Sequence, residues 1–281
     1  MVLKSTLLLS FFLAAGGGAS AADDSKTVAL SDTPATVQKA ITGHIAGGQL
    51  GDIDKTSEGG ETVFVASFTN KAGVERDFTV ADDGTLLSEE MTFAEVPAAV
   101  QQAIRQEATG WQLVSIDKNL DDTEISYDVE TTKGDKTEKF TVAEDGDTLS
   151  EVVPLSATPA PVQTAIKTRV ADGLVIAIDQ IFQPEGSTFE VEATTKNGVS
   201  KSFSVSTNGQ VLTEEITLEK LSPGARKTIE TKVGDGKVLH VEKSLAEKKD
   251  GVLPFKVQAR KDGKSFDFLV GPRGRFLGMD N

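Results

Sequence analysis

One nine-residue segment occurs three times along the chain, at intervals of about sixty residues. It reads VPAAVQQAI from Val96, TPATVQKAI from Thr33 and TPAPVQTAI from Thr158, and a divergent copy, PGARKTIE, begins at Pro223. Proline is tolerated in the first turn of a helix because its missing N–H has no intrahelical partner there. The apolar residues that follow it lie three and four positions apart, which places them on one helix face. The recurrence therefore predicts four copies of one structural unit, each beginning with an amphipathic helix.

A second pattern, with a period of two, follows each helix. In every copy a phenylalanine and a valine stand two residues apart, on one face of a predicted strand, and a turn ending in glycine comes next. Asp-Gly and Asn-Gly favour a two-residue hairpin turn in which both residues have positive φ. The four turns are Asp83-Gly84, Asp145-Gly146, Asn208-Gly209 and Arg273-Gly274.

Each unit is predicted to be one helix packed on a four-stranded antiparallel meander, because the alternating strands offer the helix one apolar face. The predicted fold class is α+β, with four tandem small modules. Such short modules are near the lower size limit for independent folding, so neighbouring copies are expected to support one another. The predicted boundaries are 26–93, 94–155, 156–218 and 219–281, the last copy being divergent.

The segment Lys26–Leu30 stands directly before the first helix. In the later copies, the same place before the helix is taken by the end of the preceding copy. Two interpretations are open. The last strand of each copy can serve two neighbouring copies, in which case this segment stands in for a missing upstream neighbour. Alternatively, the segment is a frayed linker behind the leader.

The leader, residues 1–21, has the composition of a secretory signal peptide. Lys4 supplies a positive charge, LLLSFFLAA is a short apolar run, and Ala19–Ala21 offers small residues for cleavage. A membrane anchor would need about 20 apolar residues, and Gly16–Gly18 interrupt the run. We therefore expect an exported protein, periplasmic or secreted in the bacterial envelope, without a membrane span after cleavage.

The composition limits both the means of stabilisation and the partners. The chain has no cysteine, so each unit must rely on its core rather than on disulfides. Its formal net charge of −14 repels nucleic acid and anionic membrane surfaces, and it favours solubility. No nucleic-acid partner is expected, and the sequence leaves the oligomeric state open.

The residue types needed for catalysis do not form a recognisable pattern. His44 and His240 occupy non-equivalent places in their copies, and each is interpreted as structural. The acidic turns lack the alternating oxygens and closing glutamate of a calcium loop. Paired glutamates such as Glu89-Glu90 and Glu214-Glu215 are adjacent on a strand and therefore point to opposite faces. We predict no catalytic residues, no metal site and no cofactor, and therefore no enzyme.

The repeated residues resemble those of a known family. The pattern PxxVQxAI, a strand ending in Ile-Asp, and a final F-x-V-x-x-(D/N)-G-x-x-L is similar to the PepSY-like modules of exported bacterial proteins. These modules are related in shape to the β-lactamase inhibitor protein. The resemblance covers nearly all of the chain after the leader and concerns core and turn residues. It implies non-catalytic binding, including inhibition of secreted peptidases or lactamases, and it carries no site residues over.

A sheet face without helices can serve as a docking surface. In the second copy its outward residues are Glu124, Ser126, Asp128 and Glu130, which are interpreted as a solvated face. Ile181 and Phe182 end the most apolar strand of the third copy and are predicted to form an exposed partner-binding patch. Trp111, the only tryptophan, is expected to be an anchor in the core or between modules.

Two functional classes remain open after these observations. The first is an exported protein-binding or inhibitory array, whose partner is a hydrolase or another envelope protein. The second is a structural or ligand-sensing envelope protein without an enzyme target. An unrecognised hydrolase is a minor third interpretation, which would require an activity abolished by a single carboxylate change.

Overall fold

The computed structural model describes residues 25–58, 61–120, 125–261 and 263–280. The predicted signal peptide, residues 1–21, lies outside these residues. The described chain divides into two compact units, with the boundary between Asp147 and Thr148. We call them the N-terminal unit and the C-terminal unit.

Among the described residues, the N-terminal unit has two α-helices and one antiparallel sheet. Its eight strands are hydrogen-bonded to each other in chain order, from β1 to β8. The elements are β1 (Lys26–Thr27), α1 (Ala35–Ile45), β2 (Gln49–Glu58), β3 (Glu61–Thr69), β4 (Glu75–Ala81), β5 (Leu86–Glu90), α2 (Ala98–Glu107), β6 (Gln112–Asn119), β7 (Ser126–Lys133) and β8 (Lys136–Ala143).

The C-terminal unit has the same kind of construction. Its nine strands also pair antiparallel in chain order, from β9 to β17. The elements are β9 (Thr148–Val152), α3 (Ala160–Val170), β10 (Leu174–Ile181), β11 (Thr188–Thr194), β12 (Ser200–Ser206), β13 (Val211–Glu215), α4 (Pro223–Val233), β14 (Lys237–Ser244), β15 (Phe255–Lys261), β16 (Lys264–Val270) and β17 (Phe276–Met279).

Each helix packs on one face of its sheet and closes a separate apolar core. Val162 and Ile166 of α3, for example, lie against Phe203 and Val205 of β12. The other three helices form equivalent clusters with the strands that follow them. Phe78, Phe140, Phe203 and Phe268 are all buried in these clusters, as are the valines two residues further on. The predicted stripes and strand faces are confirmed.

The glycine turns are built differently from the prediction. Gly84 has φ of 90°, but Asp83 is not among the residues with positive φ, so the turn is not of the two-residue type. The Ala81 N–H instead donates to the Thr85 carbonyl across three intervening residues. A Cβ on Gly84 would lie 2.9 Å from the Thr36 carbonyl oxygen in α1, so this position requires glycine for space as well as for conformation.

The predicted fold class, four tandem α+β modules each with its own four-stranded sheet, is wrong. The antiparallel pairing does not stop at the end of a copy: β5 pairs with β6, β9 with β10 and β13 with β14. The antiparallel pairing therefore runs across the copies through the described strands of each unit, and each unit carries two of the α-helices. The physical reason is that a separate module would leave two strand edges with unpaired N–H and C=O groups, whereas pairing across copies satisfies them. The predicted copy boundaries are not tested by this pairing and stay predictions.

The segment before the first helix extends the sheet. Lys26 and Thr27 pair with Lys55 and Asp54 of β2, and the Val28 N–H donates to the Ile53 carbonyl at 2.8 Å. β5 pairs with β6 in the same manner. Of the two interpretations of this segment, the structure therefore has the shared-strand arrangement and not the frayed linker.

Candidate binding surface: the helix-free face

One acidic residue recurs at the same place on the sheet face turned away from the helices, which we call the helix-free face. In each copy it directly follows a buried apolar residue of the strand that comes after the helix. These apolar residues pack in the helix-side cores and are Ile53, Ile116, Ile178 and Val241. Because neighbouring strand residues point to opposite faces, the following side chain lies on the helix-free face. These acids are Asp54, Asp117, Asp179 and Glu242.

The residue directly opposite this acid differs in every copy. In the N-terminal unit Asp54 faces Val65, and Asp117 faces Asp128. In the C-terminal unit Asp179 faces Glu190, and Glu242 faces Lys256. The recurring acid thus meets an apolar residue, a like charge in two cases, and an opposite charge.

In the second copy this face is polar and largely screened from solvent. Asp128 is 3% exposed and accepts a hydrogen bond from the Thr141 hydroxyl at 2.7 Å. Asn119 donates to Ser126 at 3.0 Å, and Lys139 lies 3.0 Å from Glu130. The prediction that these outward residues form a solvated face is therefore wrong for Ser126, Asp128 and Glu130, which are buried. Glu124 lies outside the described residues.

Burial changes the proton affinity of the acid in the second copy. Asp117 has its pKa raised to about 6, first because burial disfavours the carboxylate and then because of the charge of Glu90. Glu90 lies directly opposite Asp117 on β5. The deprotonated form of Asp117 is thus opposed both by its surroundings and by a neighbour.

The effect is larger in the third copy. Burial, followed by the charge of Glu192, raises the pKa of Asp179 to about 7. Burial, followed by the charges of Glu242 and Asp179, raises the pKa of Glu190 to about 8, although Lys256 opposes the shift. These two carboxyl groups therefore bind and release protons near neutral pH.

From the last strands of the third copy into the fourth copy, the same face is joined by hydrogen bonds and ion pairs. The hydroxyls of Ser204 and Thr213 are 2.7 Å apart, and Thr213 donates to Glu242 at 3.2 Å. Lys256 lies 3.2 Å from Asp267 and 3.4 Å from Asp280. The lysine thus offsets the carboxylates around it.

His240 lies in this acidic surrounding rather than in a catalytic arrangement. Its Nδ1 atom is 3.5 Å from Glu215, and its Nε2 atom is 3.6 Å from Glu242. Burial disfavours the charged imidazole, but the nearby carboxylates of Glu242 and Glu215 outweigh it and raise the pKa. Both ring nitrogens face carboxylates, so the geometry suits a charge-balancing role.

His44 packs on the helix side of the N-terminal unit. Its ring centroid lies 4.4 Å from that of Phe78 and 5.7 Å from that of Phe68, and Nε2 is 3.6 Å from Glu89. The equivalent helix position in the third copy is Arg169, which lies 2.5 Å from Glu214. His44 therefore occupies a recurring contact between the end of a helix and a strand.

The sequence-predicted patch is only half exposed. Ile181 is 4% exposed, so the expectation that it lies on the surface is wrong, while Phe182 is 37% exposed. Register explains the difference: Ile181 pairs with Ser150 on β9 and Thr188 on β11, so it is enclosed by strands on both sides. A partner-binding role for Ile181 and Phe182 stays a prediction. Trp111 is partly buried, 5.7 Å from the Lys133 amine.

A more exposed apolar pair occurs at the start of β10, which sequence reasoning missed. Leu174 is 62% exposed and Ile176 is 56% exposed. Ile176 is the extra residue of a β-bulge, because the pairing with β11 shifts between Val175 and Ala177. The signal in the sequence was the apolar run LVIAI, which is too continuous for a strand with only one covered face.

The chemistry available to this surface is proton binding and attraction of positive charge. Within the described residues, no grouping of three or more histidine or carboxylate side chains has the arrangement to hold a metal ion. No helix in the described part of the chain is long and apolar enough to cross a membrane.

No family model matches the chain, and no curated protein matches it. Three similar solved structures come from Bacteroides species. A protein of B. thetaiotaomicron, provisionally described as calcium-regulated and periplasmic, is 18% identical, covers 44% of this chain and 94% of its own, and has a TM-score of 0.29. A protein of B. eggerthii, provisionally described as periplasmic, is 18% identical, covers 42% and 86%, and has a TM-score of 0.33. A DUF2874 family protein of B. ovatus is 16% identical, covers 44% and 86%, and has a TM-score of 0.33. With TM-scores this low, the likeness carries no argument about fold, activity or metal binding.

Proposed function

We propose that this chain is an exported, non-catalytic binding protein of the bacterial envelope. Its partner is a protein, such as an envelope or secreted hydrolase, which it inhibits or regulates. The binding surface is the solvent-exposed part of the helix-free face, which includes Glu192.

The observation that carries the proposal is the contrast between the two faces. The helix-side cores use the same phenylalanine and valine positions in all four copies. On the helix-free face, by contrast, the residue opposite the recurring acid varies between copies: it is valine, aspartate, glutamate or lysine. A constant core that presents a changing surface is what a recognition scaffold needs, because affinity and specificity reside in a few surface residues.

The location and the family are part of the same proposal. The leader pattern of residues 1–21 supports export, and the similar structures from B. thetaiotaomicron and B. eggerthii are described as periplasmic. A chain without cysteine has no disulfides to stabilise it in the periplasm, so its apolar cores must do so alone. The four helix-side clusters supply such cores. The repeats are proposed to be PepSY-like on their motif residues.

A second candidate is supported by one specific observation. Asp179 and Glu190 have pKa values raised to about 7 and about 8, so their charge changes in the pH range that an envelope protein experiences. This favours an envelope protein that senses protons or a cationic ligand and has no enzyme target.

Affinity capture from a periplasmic extract tests the first candidate. The bait is the chain without residues 1–21, and a matched pair of variants carries the same charge change on different faces. Glu192→Gln alters the helix-free face, and Glu230→Gln alters the exposed side of α4. We expect a stoichiometric protein whose recovery falls with Glu192→Gln and is unchanged with Glu230→Gln.

Adding the purified chain to the captured protein then measures inhibition directly. A captured hydrolase whose activity falls in proportion to the added chain supports the proposal. Absence of any stoichiometric partner from the wild-type bait contradicts it and leaves the sensing function.

A further inference from the structure

The start of β10 combines features that the equivalent strands lack. Leu174 and Ile176 are exposed, and Glu192 lies opposite Ala177 on the neighbouring strand. Glu192 is itself exposed and has no ion-pair partner among the described residues. We call these three residues the β10 patch.

Pairing on the other side of β10 ends before the patch. β9 pairs with Asp179–Ile181, and the Val153 N–H donates to the Ile178 carbonyl at 2.9 Å. Within the described chain, no strand pairing continues from there toward Leu174. This half of β10 is therefore supported by β11 alone, and its apolar side chains project from a short strand edge.

The equivalent positions in the other copies are unlike it. β2 has Gly51 and Asp52 in the corresponding bulge, and β14 has Leu239, which is partly buried. β6 has exposed Leu113 and Val114, but the nearby carboxylate, Glu130, is paired with Lys139 at 3.0 Å. Among the four bulges, only that of β10 joins an exposed apolar pair to an unpaired carboxylate.

We propose that the β10 patch docks a basic, apolar segment of a protein partner. Aliphatic or aromatic side chains of the segment cover Leu174 and Ile176, and a lysine or arginine of the segment pairs with Glu192. This inference rests on the proposed function, because it names the place and the chemistry of the contact that a binding protein would use.

Charge complementarity selects this occupant over two others. The charge of Glu192 acts on Asp179, that of Glu215 acts on Glu192, and the formal net charge of the whole chain is −14. A second copy of the chain would bring the same charge to the contact, and an anionic lipid surface would be repelled. Burying two exposed aliphatic side chains supplies affinity, while the carboxylate supplies orientation and specificity.

The probe for this contact is a short capped peptide of alternating lysine and valine, titrated against the full chain without residues 1–21. Two control peptides replace the lysines by glutamate or the valines by serine. The test variants are the double change Leu174→Ser with Ile176→Ser, and Glu192→Gln. The control variant is Val199→Ser, because Val199 is 59% exposed in the turn between β11 and β12, outside the patch.

We expect the lysine–valine peptide to bind the wild type and both control peptides to bind much more weakly. The double variant should lose about tenfold in affinity and Glu192→Gln about threefold, while Val199→Ser should bind as the wild type does. Circular dichroism and thermal unfolding check that each variant is folded, so a loss of binding is attributable to the patch.

Equal binding by the double variant, or no binding by the wild type, would overturn the patch. Sedimentation tests for self-association. If the wild type associates with increasing concentration and the double variant does not, the surface binds a second copy of the chain, and the proposed occupant is wrong. The proposed function fails separately, because its test is capture of a partner by the wild-type chain. If the double variant captures a partner as well as the wild type does, only the proposal for the β10 patch is overturned.

Discussion

In the third sequence copy Asp179 lies opposite Glu190, whereas in the fourth copy the equivalent Glu242 lies opposite Lys256. Both copies belong to the C-terminal unit and have the same helix, strand order and core positions. The comparison shows that the helix-side core determines the fold, while the helix-free face can change the sign of a charge without altering the strand pairing. It also shows the cost, since two like charges facing each other in a sheet destabilise it.

The largest predicted effect tests whether the two copies have equivalent cores. Phe203→Ala and Phe268→Ala each remove a side chain that is at most 1% exposed. Each should lower the free energy of unfolding by roughly 3–5 kcal/mol, because a cavity adds to the lost burial. Urea unfolding measures both, with Ser202→Ala as a control on the opposite face of β12. A difference of several kcal/mol between the two phenylalanines would show that the copies are not equivalent.

The second prediction concerns pH. The pKa values of Asp179 and Glu190 are raised above their unfolded values, to about 7 and about 8. Their contribution to stability is therefore fully present below pH about 4 and is lost as pH rises through those folded values. The free energy of unfolding should fall by roughly 2 kcal/mol between pH about 7 and pH about 9 because of these groups.

The double variant Asp179→Asn with Glu190→Gln isolates this contribution, since it retains the other titrating groups. Its stability should change less over the same pH range than that of the wild type. Identical pH profiles for the two proteins would mean that the like-charge pair does not influence folding.

The third prediction compares single charge removals at pH about 8. Asp179→Asn removes a charge that faces another carboxylate and should raise the free energy of unfolding by roughly 1 kcal/mol. Glu242→Gln removes a charge that faces Lys256 and should lower it by a similar amount. Opposite signs support the comparison, and the same sign for both variants would contradict it.

The smallest predicted effect concerns the end of each helix. Arg169 of α3 lies 2.5 Å from Glu214, whereas the Lys232 amine of α4 lies 3.9 Å from the ring centroid of Phe276. Alanine at either position should lower stability by roughly 0.5 kcal/mol, because both contacts are partly solvated. Added salt should reduce the effect of Arg169→Ala more than that of Lys232→Ala. An equal salt response would indicate that the two contacts are of one kind.

The helices and strands of this fold could be predicted from the sequence, but the strand pairing between neighbouring copies could not. The proline-led helices and the Phe-x-Val strands follow from local periodicity. Whether Leu86–Glu90 ends one sheet or continues into the next is a non-local property, because alternation does not state which strands pair. The same limit applies to Ser126 and Asp128: their outward direction was predictable, but their burial depends on neighbours brought close only by the folded sheet.

The candidate surface was partly visible beforehand. The recurring Ile-Asp of the first strand is present in the sequence at Asp54, Asp117 and Asp179. Its meaning required register, which places Glu190 and Lys256 opposite equivalent acids. The exposed Ile176 could not be distinguished from its buried neighbour Ile178, because the bulge that exposes it has no local sequence mark here.

Hydrogen exchange of the chain alone and in complex with its captured partner tests the central claim most directly, namely that the helices provide the scaffold and the helix-free face binds. We predict slower exchange in peptides covering β10 and β11, residues 174–194, on formation of the complex. Peptides covering α3, residues 160–170, should exchange at the same rate in both states. Protection confined to α3, with none in β10 and β11, would contradict the account.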